Sequence, residues 1–255
     1  MRMAWAREIA GDIPERDTRR GGTSRKTPFY ERVGGIVREI YDKRLVGPPV
    51  LDQKAYFPSA AGFAGSWQSI RDEALAVARR LEAVPRFHEI MPEQAPLSAQ
   101  DERDWRVFIL KAYAVEIEEN MARCPILASL LRAAPEVLSA SLSFLAPRKH
   151  VPRHRGPFRG VLRYHLGLSM PTGQDGRPAA VLTLAGCEHR IADGQSLLWD
   201  DTYPHEVLND SDEVRIALLL DVWRRGMPFD MELLSRLLVA VVRLVMKYRG
   251  ISHGG

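Results

Sequence analysis

Residues 161–170 read Val161-Leu162-Arg163-Tyr164-His165-Leu166-Gly167-Leu168-Ser169-Met170, a run rich in β-formers that carries an arginine and a histidine two positions apart. Side chains two apart on a strand point to the same side, so this segment sets Arg163 and His165 on one face. Comparable runs surround it, at Leu138 to Leu145, Ala180 to Leu184, Gln195 to Trp199, His205 to Leu208 and Val214 to Trp223, separated by Gly, Pro, Asn and Asp. Short strands at this spacing predict an antiparallel sandwich or barrel, the class that includes jelly rolls.

Upstream the periodicity is helical. Trp67, Ile70, Ala74, Val77, Ala78 and Leu81 fall on one face of a helix. A loop punctuated by Pro85, Pro92 and Pro96 leads to the apolar run Trp105 to Leu110, read as a buried strand, and helical spacing returns near Ile126 to Ala134. Helices followed by strands predict an α+β chain with a mainly β core, its helices buttressing one sheet. A single domain over residues 28–225 is expected, with the β core from about 105. Residues 226–255 hold an amphipathic helix over Phe229 to Arg249, in which Glu232, Arg236, Arg243 and Lys247 share a face. Such a helix lies against its own domain, a dimer mate or a membrane surface.

The chain has 255 residues, of which 45% are hydrophobic, enough for one sizeable core. Lys and Arg number 36 against 32 Asp and Glu, but residues 1–27 hold seven of the cations and four of the acids, leaving 29 against 28. A nucleic-acid face needs a clustered cationic excess to displace counterions, so no nucleic-acid partner is expected. Residues 1–27 have too few apolar side chains to offset the entropy of ordering and are read as a disordered basic tail. Met3 to Ala6 gives way at once to Arg7 and Glu8, so no signal peptide is expected and the expected location is cytoplasmic. Cys124 and Cys187 cannot build a disulfide framework and are read as two buried thiols.

Residues 137–174 contain no Asp or Glu and six cations, Arg148, Lys149, Arg153, Arg155, Arg159 and Arg163, around His150, His154 and His165. This is either a positive basin for an anionic ligand or a solvated basic loop. A second histidine island lies at Asp200-Asp201-Thr202-Tyr203-Pro204-His205-Glu206. Two imidazoles so far apart share a metal only if the intervening strands fold back, and imidazole with few carboxylates and open positions suits Fe(II) in oxygenases. A hairpin turn over Asn209 to Glu213 would make His205 and Arg215 diagonal neighbours on one face. An arginine beside a metal-binding histidine suits a dicarboxylate, one end chelating the metal and the other clamped by the guanidinium.

Together, His154-Arg155-Gly156-Pro157, the block Leu162 to Leu168, the block Asp200 to Val207, and Arg215 with Asp221-Val222-Trp223 resemble the aspartyl/asparaginyl β-hydroxylase family. Weaker similarity runs from Trp67 to Glu73 and from Trp105 onward. The resemblance implies a double-stranded β-helix and a dioxygenase dependent on Fe(II), 2-oxoglutarate and O2. It implies that His154 and His205 bind iron and that Arg215 anchors the distal carboxylate of 2-oxoglutarate, while Trp105, Ser143, Arg163, Tyr164 and His165 match other co-substrate positions. Most such oxygenases have a carboxylate two residues after the first histidine; this chain has Gly156. Some members of the family share that glycine, and Asp201 is then the candidate acceptor for a water in the vacant place; in related oxygenases a small residue there admits a halide. The implied substrate is the β-carbon of an aspartyl or asparaginyl residue or amino acid, or, in a second branch, a lipid A acyl chain at a membrane surface. The expected partner is thus an anionic peptide, amino acid or lipid. A cupin-like binding module without turnover is the alternative, and the oligomeric state stays open.

Overall fold

The computed structural model describes residues 29–248; the tail expected over 1–27 lies outside the described residues. From Val137 the chain lays down eight strands: β3 Val137–Leu145, β4 His150–His154, β5 Val161–Ser169, β6 Ala180–Leu184, β7 Cys187–His189, β8 Ser196–Trp199, β9 His205–Asn209 and β10 Arg215–Trp223. Two more precede them, β1 Trp105–Ala112 and β2 Val115–Glu116. One sheet has the order β2-β1-β3-β10-β5-β8 and the other β4-β9-β6-β7, with all pairings antiparallel. Successive strands from β3 on switch sheets except at the β6–β7 hairpin, which is the winding of a double-stranded β-helix and agrees with the expected jelly roll.

Alternation along the larger sheet sorts hydrophobic from polar. Leu142, Phe144, Leu162, Leu166, Leu168, Leu218 and Leu220 turn outward and form the main core. They pack on Phe57, Phe63, Ile70, Ala74, Val77, Leu127 and Leu131 from the helical layer: α1 Phe29–Asp42, α2 Gln53–Tyr56, α3 Ala60–Gly65, α4 Trp67–Ala78, α5 Phe87–Ile90, α6 Glu118–Arg123 and α7 Pro125–Ala133. The intervening residues Ser141, Ser143, Arg163, His165 and Arg215 face the smaller sheet, so polar and charged side chains stand inside the sandwich beside the apolar contacts of Leu182 and Leu184 with Trp199, where an apolar filling is the rule. Such a departure marks a site.

The hairpin expected over Asn209 to Glu213 does not form, because β9 pairs with β4 and β6 while β10 pairs with β3 and β5. The chain crosses between sheets there instead. The buried Asn209 amide donates to the carbonyls of Leu145, Ala146 and Glu213 at 3.0, 3.0 and 2.8 Å, and its Oδ1 accepts from Ser211 Oγ at 2.7 Å. Those bonds turn the corner. Cys124 is buried as expected, its thiol pushed up to about 12 by burial, but Cys187 is exposed at the β7 edge.

Just ahead of β4, Lys149 is wholly buried and donates to Ser98 O at 2.7 Å and to Asp101 Oδ1 at 2.5 Å. Truncating Asp101 strands that ammonium in the interior. Asp101→Ala is expected to cost about 2 kcal/mol in urea denaturation, and adding Lys149→Met to recover most of it.

The C-terminal helix α8, Phe229–Tyr248, begins with Asp230 and Glu232, the charge its N-terminal dipole favours. Met231, Ser235 and Val239 pack against Tyr41, Leu138, Phe158 and Val161, and Ser235 Oγ lies 2.7 Å from Tyr41 Oη of α1. One face of the amphipathic helix therefore lies on its own domain. Among the described residues no helix is long and apolar enough to cross a membrane.

Candidate metal and co-substrate site

The β4–β9 register sets His154 directly opposite His205, with a bulge between Val151 and His154 at Pro152, a residue with no N–H to give the ladder. The two rings lie 4.1 Å apart at 57°. Each Nδ1 meets a carbonyl two residues back, Pro152 O at 2.7 Å and Tyr203 O at 2.9 Å. A carbonyl only accepts, so both protons sit on Nδ1 and both Nε2 lone pairs are left over. Burial holds His154 below its usual range, and burial together with His154 takes His205 down to about 3. Neutral imidazoles oriented by carbonyls through Nδ1 are the donors a divalent transition metal takes. Trp199 stands edge-on to His205 at 4.7 Å.

Gly156 N–H donates to Asp201 O at 2.7 Å, and the Asp201 side chain fills the space that a side chain at 156 would need. A Cβ on residue 156 would collide with Cγ and both carboxylate oxygens. The space beside Gly156 is thus taken by a carboxylate from the loop before β9. Burial drives the Asp201 carboxyl up to about 7 against the attraction of Arg163, whose Nη2 lies 3.5 Å away, and its Oδ1 has no hydrogen-bond partner. Among the described residues no three His, Cys, Asp or Glu side chains cluster closely enough to hold an ion together. Asp201 keeps an orphaned buried oxygen, which suits a water or ligand.

Across the sandwich, β1, β3, β5 and β10 assemble a second cluster. Ser143 Oγ accepts from Trp105 Nε1 at 3.0 Å and from Arg215 Nη1 at 3.3 Å, and Trp105 stacks on Phe87 at 4.0 Å. Arg215 Nη2 donates to His165 Nε2 at 3.1 Å, which places the His165 proton on Nδ1. Burial and the Arg215 charge hold His165 well below its usual pKa. Arg215 is 3% exposed; burial draws it down to about 10, still cationic, and its Nε has no hydrogen-bond partner. No carboxylate pairs with it among the described residues.

Trp105, Ser143, His165 and Arg215 therefore come together, His154 and His205 meet on the other sheet, and Arg163 pairs with Asp201 and Asp221 instead of joining the Arg215 cluster. Tyr164 does not join them. It points to the opposite face of β5, buried between Phe57 and Phe63 with its hydroxyl 3.4 Å from Ala60 O, because neighbours along a strand face opposite ways. The basic basin also largely vanishes on folding. Arg148 pairs with Asp210 and Asp212, Lys149 with Asp101, Arg155 with Asp42, Arg159 with Asp42 and Asp200, and Arg163 with Asp201 and Asp221. The balancing acids come from remote segments. Asp221, directly opposite Arg163 on β10, fixes that guanidinium with two hydrogen bonds of 3.0 and 2.9 Å; Asp221 stands in a block that carries the resemblance, but its pairing with Arg163 follows from the β5–β10 register.

A jelly roll with a neutral histidine pair on one sheet and, on the other, a buried guanidinium that has no counter-ion among the described residues defines a class of protein: a double-stranded β-helix with a polar site between its sheets. Within that class the chain belongs to the aspartyl/asparaginyl beta-hydroxylase family, whose profile matches residues 64–225. It is 36% identical over 178 residues to the ornithine lipid ester-linked acyl 2-hydroxylase of Rhizobium tropici, a match covering 70% of this chain and 61% of that protein. It is 30% identical over 170 residues to the human aspartyl/asparaginyl beta-hydroxylase, covering 62% of this chain and 20% of that protein. Among solved structures it is similar to the Cupin_2 domain of an XRE family transcriptional regulator from Enterobacter cloacae, at 14% identity and a TM-score of 0.32 over 48% of this chain and 98% of that one.

Proposed function

We propose that this protein is an Fe(II)- and 2-oxoglutarate-dependent dioxygenase that hydroxylates an unactivated C–H bond in the acyl chain of a lipid. The observation that carries the co-substrate is Arg215, a buried guanidinium without a carboxylate, which is costly unless an anion completes it. His154 and His205 would hold Fe(II) through Nε2. Arg215, with Ser143 and the Trp105–Phe87 stack beside it, would hold the far carboxylate of 2-oxoglutarate. When bound, iron, 2-oxoglutarate and O2 supply the oxidising power that converts C–H to C–OH with release of succinate and CO2. The protein's own contribution is position and charge. Pro152 and Tyr203 carbonyls keep both imidazoles with Nε2 free to ligate, Asp221 locks Arg163, and the unpaired Asp201 Oδ1 would serve as an acceptor for a water or ligand.

Two observations favour an acyl chain over an aspartyl or asparaginyl side chain. The relative with the broader match to this chain is one named for acyl hydroxylation. The cationic basin that would have drawn in an acidic peptide is consumed by internal ion pairs. A cytoplasmic setting, expected from the sequence, would supply both Fe(II) and 2-oxoglutarate.

The test is anaerobic loading with Fe(II) and 2-oxoglutarate, then exposure to O2 with detection of succinate. Slow succinate formation without substrate, absent in His205→Ala, is the expected result; no metal-dependent 2-oxoglutarate binding would transfer the fold to a non-catalytic binding module. Addition of an ornithine-containing lipid should accelerate turnover and give a lipid product heavier by one oxygen, whereas an Asp- or Asn-containing peptide should not.

A further inference from the structure

The outer face of α8 is as regular as its packed one. Met231, Ser235 and Val239 are buried, while on the other side Leu233, Leu237, Val241, Leu244 and Val245 are exposed, Leu237 by 60%. Steps of three and four put these side chains in one stripe along the helix, and Phe229 is exposed at its head. On α1, one position round from the packed Val37 and Tyr41, Ile36 and Ile40 are exposed too. Exposed apolar side chains normally occur singly, and a continuous row is a surface that meets another apolar phase.

Charge says which phase. From Leu233 to Gly255 the sequence contains Arg236, Arg243, Lys247 and Arg249 and no Asp or Glu. The two acids at the head of the helix are occupied inside the protein, Asp230 with Arg44 at 2.8 Å and Glu232 with Arg236 at 2.7 Å. A second copy laid stripe to stripe would bring like charge against like charge, since both acids of α8 are already paired within the chain. An anionic bilayer offers acyl chains to the stripe and headgroups to the cations.

We propose that α8 lies in the interface of an anionic lipid bilayer with its exposed apolar stripe toward the acyl chains, as the docking surface of this protein. The helix pair is fastened to the segment that follows His154. Arg38 of α1 donates to Gly156 O at 3.2 Å, Asp42 pairs with Arg155 and Arg159, and Ser235 of α8 fills the space at Gly160. Docking through α8 therefore holds the bilayer beside the loop that carries the metal end of the site. The inference deepens the acyl-chain reading and takes its purpose from it.

The full chain, without iron or 2-oxoglutarate, is to be sedimented with large vesicles of phosphatidylglycerol and phosphatidylcholine and with vesicles of phosphatidylcholine alone. Binding to the anionic vesicles is expected. Leu237→Glu with Val241→Glu should lower the partition coefficient at least tenfold while leaving the circular dichroism spectrum intact, since neither side chain is packed. Arg243→Gln should weaken it about fivefold, the contribution of one cation near an anionic surface, and salt should act in the same direction. Unchanged binding by the folded double variant, or no binding by the wild type, overturns the proposal. A dimer in lipid-free buffer that the double substitution dissolves assigns the stripe to a second copy and also overturns it. Vesicle binding that persists while no lipid is hydroxylated refutes the acyl-chain reading alone, and hydroxylation of detergent-dispersed lipid without vesicle binding refutes the docking surface alone.

Discussion

Arg215→Met should lower 2-oxoglutarate affinity by 100-fold or more and leave the ligand-free protein as stable as the wild type or more so. Removing one partner of a buried charge pair costs about 3 kcal/mol of binding, roughly 150-fold. The ligand-free state feels the opposite. There the guanidinium is buried with Ser143 and His165 as its partners among the described residues and its Nε unsatisfied, and replacing such a charge by an apolar side chain of similar length is commonly neutral or stabilising by about 1 to 4 kcal/mol. Calorimetric titration with 2-oxoglutarate in the presence of Fe(II), beside urea denaturation of the metal-free protein, measures both. A large loss of stability with unchanged affinity would make Arg215 a structural residue and leave the co-substrate without an anchor.

Gly156→Ala should be the most disruptive single methyl in the site. The added Cβ has no room, because Asp201's carboxylate already stands there and Asp201 O holds the Gly156 N–H. Overpacking of this kind costs about 1 to 3 kcal/mol. Displacing Asp201 should also weaken Fe(II) binding, by about 10- to 100-fold, the usual price of losing an outer partner of a metal site. The cycle with Asp201→Ala separates the two effects. Gly156→Ala should cost little stability when Asp201 is already alanine, yet metal affinity should stay low in the double variant. If the alanine is as costly without the carboxylate as with it, the collision is not what fixes glycine at 156.

The long apolar strands were legible in the sequence because burial on both faces writes itself as a continuous β-rich run, as at Val161 to Met170 and Val214 to Trp223. β4 was not, since His150-Val151-Pro152-Arg153-His154 contains a proline and two histidines and only Val151 to bury. The pairing of strands was the larger gap. Local pattern cannot tell a hairpin from a crossing between sheets, so the turn at Asn209 was read as joining neighbours, and His205 and Arg215 were set side by side on one sheet instead of on two. The same gap hid the neutralisation of the basic stretch, because Asp42 and Asp101 lie far away in sequence. Tyr164 was carried into the site with the motif around it, although period-two alternation places it with the core on the other side of β5. Of the other residues the resemblance points to, folding puts Trp105, Ser143, His165 and Arg215 in one contact cluster, His154 against His205, and Arg163 on Asp201 and Asp221.

The division of the site between two sheets makes the sandwich a length gauge. Both imidazoles belong to one sheet and the guanidinium to the other, so the span between them is set by how far apart the sheets rest. Ordinary apolar side chains in contact across the gap, such as Leu182 and Leu184 on the smaller sheet with Trp199 on the larger, set that separation. Changing their bulk would move the jaws of the caliper and shift which carbon chain length is accepted, with every polar group in the pocket left in place.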